Sequence, residues 1–197
     1  MLPRHSTFDD FLPAADAQAL LDFVLSHDEG FAAAQVTSRS GHKVDLSHRN
    51  AASLKLDWSA EGRAFRDMLK SRLPRIFAAC GMREFAPVVF ELECVAHRDG
   101  GKFGTHIDTL TDRDRQDSDR VVSAVYYFCR EPRRFTGGAL ALYAIGDGGS
   151  VEIEPLHNRL VVFPSFIPHE VLPVSVPGNS FADARFSINC WLRRKRS

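Results

Sequence analysis

The 197-residue sequence has no surplus of either charge: 25 Lys and Arg cancel 25 Asp and Glu. No overall field therefore draws the chain to nucleic acid or to an anionic membrane. Its four cysteines, Cys80, Cys94, Cys129 and Cys190, show no CxxC or knuckle spacing and sit in apolar segments. That pattern excludes a disulfide framework or a thiolate zinc site and predicts buried free thiols in a reducing compartment. There is no apolar run of membrane-spanning length, no signal-peptide pattern at the N-terminus, and no internal repeat or low-complexity linker. A single cytoplasmic domain, residues 1–197, is the expectation, with nucleic acid and membranes excluded as partners. The one basic run, "RRKRS" at the C-terminus, reads as a solvated tail. Nothing in the sequence signals an oligomeric state.

What is present changes texture once. Residues 7–27 carry cap-forming residues, an early proline and apolar positions Leu20, Leu21, Phe23 and Val24, and predict a helix. Residues 59–81 predict another, capped by Ser59, broken or kinked at Pro74 and ended by Gly81. From about residue 86 to 194 the chain becomes a series of short β-type runs: "VVFELECVA", "KFGTHID", "RVVSAVYYFC", "GALALY", "SVEIE", "RLVVFP", "HEVLPV" and "ARFSINCWL". Strands without intervening helices predict a mostly β fold, a double-stranded β-helix (jelly-roll, cupin-like) barrel. Residues 1–85 would serve as its helical support.

Two strands carry polar groups where a core is expected. In "RFSINCWL", alternation puts Phe186, Ile188, Cys190 and Leu192 on one face and Arg185, Ser187, Asn189 and Trp191 on the other. An arginine inside a barrel calls for an anion; on an edge strand it would instead face solvent. In "GKFGTHIDTL", His106 and Asp108 are two positions apart, so a strand would aim both the same way. With 8 His and 16 Asp, chance alone supplies roughly 0.65 of an H-x-D. A second copy, His97–Asp99, runs into Gly100–Gly101 and reads as a turn. This "HRD" lacks the downstream Asn and the upstream glycine-rich loop of a kinase.

A third group makes the first pair more than chance. His169, in "FPSFIPHEVLPV", follows a proline-rich bend, 61 residues after Asp108, where a barrel can fold it back opposite the pair. Two imidazoles and one carboxylate on one face of a metal, with three positions open, form the facial triad of non-haem Fe(II) oxygenases. The open positions admit a chelating co-substrate and dioxygen.

From Glu91 to Arg193 the chain resembles the Fe(II)/2-oxoglutarate-dependent dioxygenases, specifically the prolyl 4-hydroxylase-like group. The ordered segments "GGKFGTHIDT", "VVSAVYYFC", "FTGGALALY", "NRLVVFPSFIPHEVLPV" and "ARFSINCWL" carry the resemblance. It implies that His106, Asp108 and His169 ligate catalytic Fe(II) and that Arg185 pairs with the distal carboxylate of 2-oxoglutarate. Tyr127 resembles the family's co-substrate tyrosine, with a core aromatic beside Tyr126 as the other reading, and Ser187 is a second candidate donor. The implied reaction is hydroxylation of an unactivated C–H bond by dioxygen, with ascorbate as an accessory reductant. The substrate expected is a prolyl residue of a peptide or protein, or alternatively a free amino acid or small natural product. Asp108 argues against the halogenating relatives, which give up that carboxylate.

Several readings stay open at this level. A zinc hydrolase would use the same three ligands to activate water, and a cupin-like barrel would bind without turnover. Arg159 competes with Arg185, because "SVPGNSFAD" lengthens the chain between His169 and Arg185 and puts the register in question. His97 falls where related sequences often keep a pocket tyrosine, but reads here as a satisfied surface histidine. His5, His27, His42, His48 and His157 read as surface or core residues. Gly137–Gly138 reads as a backbone bend at a strand start. The alternating charges of residues 108–120 predict a solvated loop, and the hypothesis attached to it is a lid over the substrate.

Overall fold

The computed structural model describes residues 1–38, 41–56, 59–109 and 117–196. After a first strand β1 (Ser6–Phe8) and helix α1 (Ala14–Leu25), five short strands and two helices follow. They are β2 (Ala32–Ala33), β3 (Val36–Ser38), β4 (Gly41–Lys43), β5 (Arg49–Asn50), β6 (Ala52–Leu54) and then α2 (Ala60–Ser71), followed by α3 (Leu73–Cys80). The β region holds β7 (Val89–His97), β8 (Lys102–His106), β9 (Ser118–Phe128), β10 (Thr136–Gly137), β11 (Leu140–Tyr143) and β12 (Ser150–Ile153). It closes with β13 (Arg159–Pro164), β14 (His169–Val171), β15 (Val174–Ser175) and β16 (Arg185–Lys195).

Two antiparallel sheets face each other. The larger has the order β1-β13-β9-β16-β7-β6-β2 and the smaller β12-β11-β14-β8-β5, among the described residues. Strand parity decides what each face meets. Phe186, Ile188, Cys190 and Leu192 of β16 join Val122, Ala124, Tyr126 and Phe128 of β9 in the main core, against Leu20, Leu21, Phe65, Leu69, Ile76 and Phe77 of the helices. The opposite face of the same sheet gives Tyr127, Val161 and Phe163 to a second cluster with Leu140, Leu142 and Ile153 of the smaller sheet. The larger sheet is thus the middle layer, with apolar helices outside and a partly polar cavity inside. No helix among the described residues is long and apolar enough to cross a membrane.

The helices follow their sequence signals with one exception. Ser59 Oγ accepts the Gly62 N–H at 2.8 Å, Pro74 opens α3, and Gly81 ends it at φ +64°. The first helix starts later than residue 7. Ser6–Phe8 pair instead with Leu160–Val162 of β13, and Asp10 at φ +48° turns the chain before Pro13. A free sheet edge outcompetes the extra helical turn there. Residues 1–85 are likewise more than helical support: β5 adds to the smaller sheet, and β6 and β2 to the larger. The C-terminal basic run is not a solvated tail. β16 continues to Lys195, Arg193 Nη2 donates to Ser118 O at 2.7 Å, and Arg196 pairs with Asp119.

The long connection before β16 coils into two 3₁₀ turns, Pro177–Asn179 and Phe181–Asp183. Phe181 anchors it by packing edge-on against Phe31 and Phe186, with ring centroids 5.2 and 5.1 Å apart. The insertion is absorbed outside the sheet, so Arg185 still pairs in register with His97 of β7.

Asn158 ties the start of α1 to the larger sheet. It sits in the left-handed region at φ +58°; its Oδ1 accepts from Leu12 N–H and from Tyr126 O–H, both at 2.9 Å, and its Nδ2 donates to Leu12 O. Asn158→Ala leaves those buried groups unpaired and is expected to lower unfolding free energy by about 2–4 kcal/mol. A urea midpoint shift at unchanged slope is the measurement that checks it.

Candidate metal centre and anion pocket

The fold brings His106, Asp108 and His169 together, each by a different means. His106 ends β8 and His169 begins β14, and the two are directly paired across the antiparallel ladder. Asp108 lies beyond the end of β8, not on the strand as its parity suggested. The Ser165 carbonyl holds it there by accepting the Asp108 N–H at 2.9 Å and the Thr109 N–H at 3.1 Å. One ligand atom from each of the three side chains lies within 4.8 Å of the other two. His106 Nε2 is 3.7 Å from Asp108 Oδ1, and His169 Nε2 is 3.5 Å from Asp108 Oδ2.

Both imidazoles use the same local device to expose a lone pair. His106 Nδ1 lies 2.9 Å from Gly104 O, and His169 Nδ1 lies 2.9 Å from Ile167 O. A carbonyl only accepts, so Nδ1 carries a proton in both rings, and Nε2 is the nitrogen each ring turns to the centre. Phe103 stacks on His106 at 3.7 Å and Phe163 meets His169 edge-on at 4.8 Å, which fixes the ring planes. Burial, and then the neighbouring His169, push the His106 pKa down to about 3, against the pull of Asp108. Burial alone would raise Asp108, but His169, His106 and the Ser123 hydroxyl outweigh it and hold the carboxyl below its usual range. Nε2 of two imidazoles and one ionised carboxylate are a donor set suited to a divalent cation. The described cysteines contribute nothing to it: all four are buried and free.

The cavity above the triad encloses about 1660 Å³ and opens between the two sheets. Arg185 lies on its wall and is only 1% exposed. Its Nε donates to Gly138 O at 2.8 Å, its Nη1 lies 3.3 Å from His97 Nδ1, and its guanidinium carbon sits 4.8 Å from the centroid of the Tyr127 ring. Among the described residues, three buried polar atoms around this point find no hydrogen-bond partner of good geometry: Arg185 Nη2, Tyr127 Oη and His97 Nε2, although the Tyr127 hydroxyl lies close enough to the guanidinium to interact with it. All three are donors. Burial first, then Arg185 and Arg49, hold His97 well below its usual pKa, so its ring is neutral. Since Arg185 can only donate, His97 Nδ1 accepts and the proton resides on Nε2. Burial pushes Tyr127 up to about 12, keeping it a phenol. A buried cation flanked by two unsatisfied donors fits a carboxylate.

The remaining expectations sort cleanly. Arg159 does not line this pocket; its guanidinium is taken up by a two-point ion pair with Asp9 at 2.6 and 2.9 Å. Ser187 is buried on the cavity wall with its Oγ 3.5 Å from Asn189 Oδ1. His97 is not a surface histidine: it is 3% exposed and ends β7. In "FELECVAH" Leu92, Cys94 and Ala96 are core, which by alternation turns His97 inward, but the following turn signal obscured this. His48 also belongs to the cavity wall, edge-on to Phe103 at 5.5 Å. Gly138, at φ +73°, does more than bend the chain, because a Cβ there would lie 2.6 Å from Arg185 Cδ. In the proposed lid, Ser118–Arg120 belong to β9, and residues 110–116 lie outside the described residues.

Comparison with known proteins gives a consistent picture. Residues 92–193 match the family model of the 2OG-Fe(II) oxygenase superfamily. An uncharacterized PKHD-type hydroxylase of Synechocystis sp. is 32% identical over 138 residues. The match covers 66% of this chain and 45% of that relative, so the chain spans less than half of its length. A prolyl-4-hydroxylase of Pseudomonas putida superposes with a TM-score of 0.71 at 29% identity, covering 98% of this chain and 94% of that one. A Trichoplax adhaerens prolyl hydroxylase, solved with a hypoxia-inducible-factor peptide, shares the fold with a TM-score of 0.70 at 21% identity, covering 95% and 82%. These neighbours are double-stranded β-helix proteins, the architecture described above.

The His97 assignment has a direct check. Nitrogen-detected NMR of selectively labelled protein is expected to show His97 neutral, with its proton on Nε2, through the pH range around 6.5 in which an ordinary histidine takes up its second proton. A protonation midpoint near 6.5 would contradict it.

Proposed function

The chain belongs to the 2OG-Fe(II) oxygenase superfamily, and on that premise we propose that it is an Fe(II)- and 2-oxoglutarate-dependent dioxygenase that hydroxylates a prolyl residue of a peptide or protein. The observation that carries this reading is the buried Arg185 guanidinium on the wall of the triad's cavity, with the Tyr127 hydroxyl and His97 Nε2 beside it and no carboxylate among its described partners. A zinc hydrolase gives Arg185 no reason to be there. A co-substrate with a carboxylate at its far end does.

The residues divide the work. His106, Asp108 and His169 would hold the iron, with their Nδ1–H bonds keeping both Nε2 atoms available. Bound there with 2-oxoglutarate, Fe(II) supplies activation of dioxygen, coupled to release of succinate and CO2, with ascorbate as accessory reductant. Arg185 would take the distal carboxylate through its planar fork, for which a point-charge lysine is a poor substitute. Tyr127 and His97 donate to the same anion, and Ser187 lies beside it on the wall. Phe163 and Leu140, packed against the site, keep bulk water from the reacting end. The prolyl substrate is supported by the prolyl-4-hydroxylase from Pseudomonas putida, the structural neighbour at 29% identity.

Purified protein with Fe(II) and 2-oxoglutarate is expected to release CO2 in step with a one-oxygen gain on a proline-containing peptide. Oxygen gain on a small metabolite but on no proline would overturn the substrate. Arg185→Ala truncates one member of a buried charge pair, which costs on the order of 2–5 kcal/mol, or about 30- to several-thousand-fold in co-substrate affinity. Arg185→Lys recovers part of that loss, and Fe(II) binding stays near wild type. Arg159→Ala is the control and keeps co-substrate affinity; the reverse ranking of the two variants would move the anion site elsewhere.

A further inference from the structure

We propose that Ser123 and Ser165 form a hydroxyl relay that locks the orientation of the Asp108 carboxylate toward the metal, a positioning role that rests on the functional reading above. Ser123 Oγ donates to Asp108 Oδ2 at 2.6 Å, and Ser165 Oγ lies 2.9 Å from Ser123 Oγ. The direction of the relay follows from hydrogen inventory. An ionised carboxylate only accepts, so the single Ser123 proton points at Oδ2. Having spent that proton, Ser123 can only accept from Ser165. The order is therefore Ser165 to Ser123 to Asp108, with no alternative arrangement of the hydrogens.

Burial makes this order persistent. Ser123 is 1% exposed and Ser165 is fully buried, so water does not compete for either hydroxyl. The relay also joins three separate parts of the chain. Ser123 projects inward from β9, on the parity of Tyr127; Ser165 follows the end of β13; Asp108 lies past the end of β8. Ser165 holds the same aspartate a second time through its backbone, since its carbonyl accepts the Asp108 and Thr109 N–H groups, while its own N–H donates to Val121 O at 3.0 Å. One serine thus fixes both the backbone and, through Ser123, the carboxylate of the residue that no strand positions. The two histidines need no such help, because each imidazole is fixed by the carbonyl two residues before it. Asp108 has no such partner two residues away; its carboxylate is held from other strands, by the Ser123 hydroxyl and the Trp191 side chain, and the relay orients the first of these. With Oδ2 held by Ser123, the orientations the carboxylate can take toward the metal are narrowed, which helps keep open the positions that a chelating co-substrate and dioxygen need.

The test is anaerobic calorimetric titration of Fe(II) into wild type, Ser123→Ala, Ser123→Thr and Ser165→Ala, with the unfolding temperature of each metal-free protein recorded alongside. Removing an outer partner of a metal ligand costs about 10- to 100-fold in metal affinity, and Ser123→Ala is expected in that range. Ser123→Thr, which restores the hydroxyl, regains most of it, and Ser165→Ala shows a smaller loss in the same direction. A merely space-filling serine would shift unfolding temperature and leave metal affinity alone. Wild-type affinity in Ser123→Ala overturns the relay; if that variant does not fold, wild-type affinity in Ser165→Ala does so instead. Failure of the wild-type protein itself to take up Fe(II) overturns the functional reading, a separate result from either.

Discussion

A guanidinium sealed between two β-sheets is the constraint around which the rest of this structure is arranged. Arg185 is buried to 1% exposure with no carboxylate of its own among its described partners. Desolvating such a charge is costly, and partial pairing does not repay it. The surroundings soften the cost without removing it: a carbonyl from Gly138 takes Nε, the Tyr127 ring lies against the guanidinium, and His97 presents a lone pair. Each of these makes its own demand. Gly138 must lack a side chain, His97 must be neutral, and the 175–183 connection must coil so that the arginine returns in register.

The metal side obeys a different economy. His106 and His169 meet as cross-strand neighbours, so the ladder itself brings together residues more than sixty apart. Their Nδ1 atoms are held by backbone carbonyls two residues earlier, at the end of β8 for His106 and at the start of β14 for His169. The aspartate, lying past the strand, depends instead on the Ser165 turn. Rigid sheet for the histidines and a tethered loop for the carboxylate together give one compact face of ligands. The remaining directions open to the cavity.

Much of this was legible in the sequence because period-two alternation has only two outcomes. In "RFSINCWL" the apolar residues Phe186 and Ile188 mark the core face, while whether Arg185 opposite them meets a cavity or solvent is decided only by the place of β16 between β9 and β7 in the larger sheet. The residues that escaped reading are those governed by nonlocal pairing. His97 hid behind the turn signal of Arg98–Gly101, although its own strand parity points inward. Ser123 and Ser165 carry no spacing signal, since their meaning exists only once β9 and the end of β13 lie side by side. Gly138 read as a bend because no sequence pattern shows which side chain a missing Cβ makes room for. The start of the chain failed for a related reason: whether Ser6–Phe8 coils or extends depends on the free edge of β13, more than 150 residues away.

The central claim is that the buried donors exist for the far carboxylate of a dicarboxylic 2-oxo acid. It is tested most directly by comparing, anaerobically on the Fe(II)-loaded protein, the affinities of 2-oxoglutarate and 2-oxobutanoate. The two share the chelating 2-oxo acid head and differ in the distal carboxylate. The account predicts that 2-oxoglutarate binds at least about 30-fold more tightly, the lower bound for pairing a buried charge. Equal affinities would mean that the donors around Arg185 do not receive that carboxylate, and would contradict it.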